Sequence, residues 1–129
     1  MGTWHVDAKS KPGILTVRLS GVLTAHEMLE FFTAHNAAVD SFAGKVYRVF
    51  VDIRELAPLS PECTAMMEKA KQYSARHTNF QGSAVLTPSS AVVAMQHRRT
   101  SQTGGVIDSE LMSDDEAACW DHLANVKRG

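Results

Sequence analysis

Polar and apolar residues alternate from Thr3 to Lys9, and the alternation resumes in Ile14-Leu15-Thr16-Val17-Arg18-Leu19. A period of two marks a half-buried strand, so the pattern predicts two strands. Lys11-Pro12-Gly13 separates them, and Pro-Gly is turn chemistry, which makes the pair an antiparallel hairpin closed by Gly21.

The period then changes. Thr24 followed by Glu27 reads as a capping box, in which each side chain satisfies the other's free backbone N–H. Met28, Phe31, Phe32, His35 and Val39 recur behind it at helical spacing, and Phe42-Ala43-Gly44 ends the helix. Val46 to Ile53 is β-branched and almost continuously apolar, as suits a central strand covered on both faces.

Ser60-Pro61-Glu62 opens a second helix. Serine caps, proline takes the first helical position where no N–H is missed, and glutamate complements the positive end. Cys63, Met66, Met67, Ala70 and Tyr73 form its apolar stripe. Gly82 to Leu86 predicts a short strand. Thr87-Pro88 repeats the cap-then-proline signature and predicts a third helix, with Ala91, Val92, Met95 and Arg99 on related faces and Gly104-Gly105 as its stop. Val106 to Leu111 reads as a final edge strand. Ser113 with Glu116 reads as another capping box, and Ala117, Trp120, Leu123 and Ala124 as the buried side of the last helix.

The order is ββαβαβαβα, without linker, repeat or low-complexity tract. It predicts an α/β domain spanning 1–129, a single mixed sheet of about five strands carrying four helices, with parallel pairing after the hairpin.

Composition narrows the functional classes. Of 129 residues, 44% are hydrophobic and 21% charged, ordinary for a globular domain. Thirteen Lys plus Arg against 14 Asp plus Glu leave a net charge of -1, which gives no long-range attraction for nucleic acid or an anionic membrane. No apolar run approaches the ~20 residues of a membrane span, and no basic-then-apolar leader opens the chain. The expectation is a cytoplasmic protein. Cys63 and Cys119 have no CxxC partner and fall on predicted helix faces, where a free thiol behaves as a small apolar group.

Catalytic and metal motifs do not emerge. The six histidines (His5, His26, His35, His77, His97 and His122) form neither HxH nor HExxH. His35, in line with Phe31 and Phe32, reads as a core or edge histidine, and His26 and His122 as solvent-facing. There is no GxSxG, and Gly104-Gly105 has neither GxGxxG spacing nor a following Lys-Ser. Asp52, Arg54 and Glu55 lie at the carboxyl end of the central strand, where α/β sheets bind ligands; their plain reading is solvated turn charge. No cofactor and no metal are expected.

The element order resembles the STAS family, the domain shared by anti-sigma-factor antagonists and the tails of sulfate transporters. ILTVRLSGVLT resembles that family's second strand and the glycine before its first helix. VFVDIRELAPLSPE resembles its central strand, acidic turn and helix start, and GSAVLTPSSAVVAM its fourth strand and third helix. ELMSDDEAACWDHL resembles the closing strand, acidic cap and last helix of the SpoIIAA-like, lipid-binding-type branch.

The resemblance implies a bacterial regulatory domain with a protein partner. In antagonists of the family an Asp-Ser-Ser-Gly-like signature follows the central strand, and one of its serines is phosphorylated. Here that signature falls on Ser60-Pro61-Glu62-Cys63, so both serine positions are lost and Glu62 puts a fixed negative charge nearby. Ser60 is then either a helix cap or a substitute phospho-acceptor.

Two non-enzymatic functions follow as expectations. One is a protein-binding surface at the start of the second helix, made by Leu59, Ser60, Glu62 and Cys63. The other is a lipid or small apolar ligand in a groove between the first two helices, lined by Phe31, Phe32, Met66 and Met67; the plain reading of those four is core packing. A homodimer through an uncovered sheet edge is a further expectation.

Overall fold

The computed structural model describes residues 2–128. Two strands, β1 (Thr3–Asp7) and β2 (Ile14–Ser20), are followed by α1 (Ala25–Ser41), β3 (Tyr47–Asp52), α2 (Pro61–Ala75), β4 (Phe80–Leu86), α3 (Ala91–Gly104), a 3-10 turn (Ile107–Ser109), β5 (Glu110–Ser113) and α4 (Glu116–Asn125). The five strands lie in the order β1-β2-β3-β4-β5. β1 pairs antiparallel with β2, and every later pair is parallel. This is the mixed sheet and the element order that the hydrophobic pattern predicts.

Period-two geometry sorts the side chains of each strand onto two faces. Leu15, Val17, Leu19, Tyr47, Val49 and Val51 point to one face and pack with Met28, Phe31 and Val39 of α1 and Cys63, Met67 and Ala70 of α2. Phe50, Ala84 and Leu86 point to the other and meet Cys119 and Leu123 of α4. Trp120 extends that smaller core: its ring stacks on Phe50 at 4.4 Å, and the Lys11 ammonium from the hairpin turn sits 3.9 Å above it. Such a contact holds a cation over the negative face of the indole.

The tail after α4 is fastened as well. Arg48 of β3 donates to Val126 O through Nε (3.0 Å) and Nη2 (2.8 Å). Arg128 donates to Ala75 O and His77 O at 3.0 and 2.7 Å, giving the carbonyl end of α2 the positive partner that its last turn lacks.

The capping box at Thr24 forms: Glu27 N donates to Thr24 Oγ1 at 3.1 Å and Thr24 N to Glu27 Oε1 at 2.8 Å. Several expected boundaries shift, β4 starting at Phe80 and not at Gly82. α3 does not begin at Thr87-Pro88, because Thr87 N is committed to Ser113 O across the sheet; Ser90 caps the helix instead. β5 begins at Glu110, since Val106 to Ser109 fold into a tight turn closed by Ser109 N donating to Val106 O. The box at Ser113 and Glu116 is absent: Asp115 caps α4 through Ala117 N at 3.0 Å, and Glu116 accepts from Trp120 Nε1.

The largest departure concerns α3. Ala91, Val92 and Met95 face solvent, Val92 and Met95 being 64% and 57% exposed. The helix instead buries Val93, His97, Thr100, Ser101 and Gly104, a mostly polar face, against α2. On α4, Ala117 and Ala124 are exposed, Trp120 is half-buried, and Cys119 takes the central place beside Leu123.

Candidate functional site

The β3–α2 connection is held at three points. Gly21, with φ of 71°, makes a parallel bridge to Leu56: its N–H donates to Glu55 O at 2.8 Å and its carbonyl accepts from Ala57 N at 3.1 Å. That φ lies in the left-handed region, where glycine alone is unstrained. At the end of β3, Asp52 Oδ1 accepts from Arg54 N and Nε, both at 3.1 Å, and Oδ2 accepts from Arg54 Nη2 at 2.9 Å. Arg18 Nε lies 3.5 Å away on the neighbouring strand. The third tie joins α3 to the start of α2: Leu59 N donates to Gln96 Oε1 at 2.7 Å and Gln96 Nε2 to Leu59 O at 2.8 Å.

The Asp52 cluster is an ion-pair joint. Burial pushes its carboxyl upward, but the hydrogen bonds and charge of Arg54, with the charge of Arg18, outweigh it and hold the carboxyl below its usual range. Both oxygens are occupied by arginine donors, so Asp52 is not a free base at neutral pH.

Beyond this joint, Ser60 acts as the cap of α2. Its Oγ accepts from Cys63 N at 3.2 Å. Ser60, Pro61 and Glu62 are exposed and form one corner at the start of α2. The other two members of the expected surface are not on it. Leu59 is 8% exposed and Cys63 0%; both belong to the core beneath the corner, because the cap turns them inward against α1 and the sheet. Cys63 Sγ even lies 3.6 Å from Leu23 O.

The expected groove is likewise divided. Phe31 and Met67 are 2% and 3% exposed and face the sheet, whereas Phe32 and Met66 are half-buried and pack against the margin of the same core. Of the four, Phe31 and Met67 wall an internal cavity of about 40 Å³, with Val17, Val49 and Val51, to which Phe32 and Met66 do not contribute. Pockets for drug-sized ligands run from about 300 Å³, so an acyl chain does not fit this space.

Sequence reasoning missed the most polar part of the interior. Lys71 of α2 is 8% exposed, and its Nζ lies 2.7 Å from His97 Nε2, 2.8 Å from Thr100 Oγ1 and 2.6 Å from Ser101 Oγ, all on α3. Burial pushes the amine down to about 8, against the opposing pull of the Glu110 and Glu68 charges. Burial, with the Lys71 charge, keeps His97 well below the ordinary imidazole range, and burial lowers His35 also. A charged amine has three hydrogens to donate, so Nε2 then accepts and the imidazole proton sits on Nδ1. The legible signal was the recurrence of Val93, His97, Thr100, Ser101 and Gly104 at steps of three and four, a helical stripe in polar residues. Gly104 completes it: a Cβ there would lie 2.5 Å from Lys71 Cβ.

Of the remaining histidines, His26 is exposed, while His122 is half-buried and its Nε2 lies 3.1 Å from Ser109 O. Among the described residues no three His, Cys, Asp or Glu side chains gather as metal ligands, both cysteines are free and buried, and no helix is long and apolar enough to cross a membrane.

No protein-family model matches the sequence, and no curated protein matches it. Among solved structures, the chain is similar to the anti-sigma factor antagonist SpoIIAA in its unphosphorylated form, with a TM-score of 0.64 and 16% identity over 97% of this chain and 100% of that one. The fold is that of SpoIIAA. The likeness runs from the hairpin to the last helix, so the corner at Ser60 and the Lys71 cluster both belong to the SpoIIAA-like unit.

Proposed function

We propose that this chain is a non-enzymatic, STAS-like regulatory domain of a bacterial cytoplasm that binds a protein partner through the corner at Ser60, Pro61 and Glu62. The observation that supports this reading is the exposed helix start, rigidly presented by Gly21, Arg54 and Gln96, on a fold shared with an anti-sigma factor antagonist. Leu59 and Cys63 support the surface from below. Glu62 supplies a constitutive negative charge at the positive end of α2. The absence of the family's serine pair makes this charge fixed rather than switched.

The test is recovery of a defined partner from the native host with the tagged chain, then loss of that partner by Glu62→Lys. Unchanged binding by Glu62→Lys removes this corner from consideration. Ser60 as a substitute phospho-acceptor is checked separately by phosphopeptide mapping of protein from that host. An added phosphate would meet the helix N-terminus favourably and Glu62 unfavourably.

The alternative of a lipid or apolar ligand between α1 and α2 requires Phe31 and Met67 to leave the core, and native mass spectrometry of freshly purified protein checks it. Self-association through the free edge of β1 or β5 is read by sedimentation at several concentrations.

A further inference from the structure

The cavity walled by Phe31 and Met67 is apolar over most of its lining, yet five polar side chains reach it: His35, Lys71, Ser74, Ser83 and Glu110. Their bonding capacities do not balance within the protein. Ser83 Oγ donates to Glu110 Oε2 at 3.1 Å, but Glu110 Oε1 is buried and no protein donor reaches it. Ser74 Oγ accepts from Tyr47 Oη at 3.1 Å and retains its own proton to donate. Lys71 spends its hydrogens on α3, and none of the ion pairs among the described residues gives it a carboxylate partner.

A carboxylate oxygen cut off from water is costly when left without a donor. A water needs about 10–15 Å³ of accessible space and two to four polar partners. The cavity's volume of about 40 Å³ meets the first condition, and the polar residues of its lining, Glu110 with its unpartnered Oε1 together with Ser74 and His35, are the candidates for the second. The same volume excludes a larger organic ligand.

We propose that this cavity is an internal hydration site, in which ordered water donates to Glu110 Oε1 and joins the β5 carboxylate to the polar groups of α1 and α2. Glu110 is then the counter-charge of Lys71 across a hydrated gap, and its influence on the lysine is electrostatic rather than by contact. The arrangement couples β5, at one edge of the sheet, to the helix that carries the Ser60 corner.

The test combines a high-resolution crystal structure of the full chain with water-relaxation dispersion in solution. The expected result is density about 2.8 Å from Glu110 Oε1 and a long-lived internal water signal, both lost in Glu110→Leu. Should Glu110→Leu not fold, Glu110→Gln retains an acceptor and is expected to keep the water. It also lowers the titration midpoint of Lys71, followed by NMR of the side chain, because the carboxylate charge is gone. A cavity without density, a dispersion signal unchanged by Glu110→Leu, entry of xenon under pressure, or a Lys71 midpoint unmoved by Glu110→Gln would each overturn the proposal.

Discussion

Gln96 grips the backbone of Leu59 with both ends of its amide, accepting from N–H at 2.7 Å and donating to C=O at 2.8 Å. One side chain of α3 thus satisfies both backbone polar groups of the residue that precedes the α2 cap. The corner is therefore set by two helices rather than by the loop alone.

Gln96→Ala removes both bonds and leaves two partly buried backbone groups without protein partners. A loss of about 1–3 kcal/mol is expected in urea unfolding, with faster amide exchange at Leu59 than at Cys63. An exchange rate at Leu59 equal to wild type would show that the amide is held by something else.

Ser60→Ala removes the cap from Cys63 N and is expected to cost about 1 kcal/mol in urea unfolding, while Ser60→Asp, which keeps an acceptor and suits the helix dipole, is expected to cost little. If Ala and Asp destabilise equally, the hydroxyl is not acting as a cap.

Gly104→Ala runs against helix propensity. Alanine is favoured over glycine within a helix by about 1 kcal/mol, yet the new Cβ would meet Lys71 Cβ at 2.5 Å. Net destabilisation of about 1–3 kcal/mol is expected from overpacking, read as a lower melting temperature. A stabilised variant would mean that α2 and α3 separate easily at this point.

Stability should depend on pH through Lys71 and His97, with the same sign in two windows. Each has a folded-state pKa below its unfolded value, so the unfolded chain binds more protons between the two, and stability rises with pH there. For Lys71 the window runs from about 8 to the ordinary lysine value of 10.5, worth ~3 kcal/mol at most. Tyr47, pushed up to about 12 by burial, acts oppositely above pH 10 and sets the upper limit. For His97, with His35, stability falls as pH drops below 6.5. Thermal melts of wild type should rise from pH 8 to 10 relative to Lys71→Met, which lacks the rising contribution and keeps only the opposite one of the buried Cys119 thiol, whose pKa burial pushes up. Parallel curves would place the titration elsewhere.

The sheet, the helix count and the α1 face were readable because apolar periodicity caused them: Met28, Phe31, His35 and Val39 recur at helical steps and all four are buried. The same rule misled on α3. Counting apolar residues selected Ala91, Val92 and Met95, but the face that docks is polar and has a lysine to satisfy it on another helix, a pairing 26 to 30 positions away. Local capping signals behaved similarly. Thr24 and Ser60 cap as expected, whereas Thr87 and Ser113 are claimed by the β4–β5 ladder, a tertiary demand that no local motif records. At the candidate site, the sequence pointed to Leu59, Ser60, Glu62 and Cys63 alike, and only the turn of the chain decides that Leu59 and Cys63 are buried while Ser60 and Glu62 are exposed.

The polar seam between α2 and α3 has a thermodynamic signature of its own. Denaturant sensitivity scales with the surface that an opening exposes, and α3 buries only Val93 as a large apolar side chain. Undocking of α3 would hence follow a shallow dependence on urea and leave little trace in heat capacity, while it breaks several directional bonds at once. Calorimetry and urea titration would pass over such an event; amide exchange along residues 93–104 would register it.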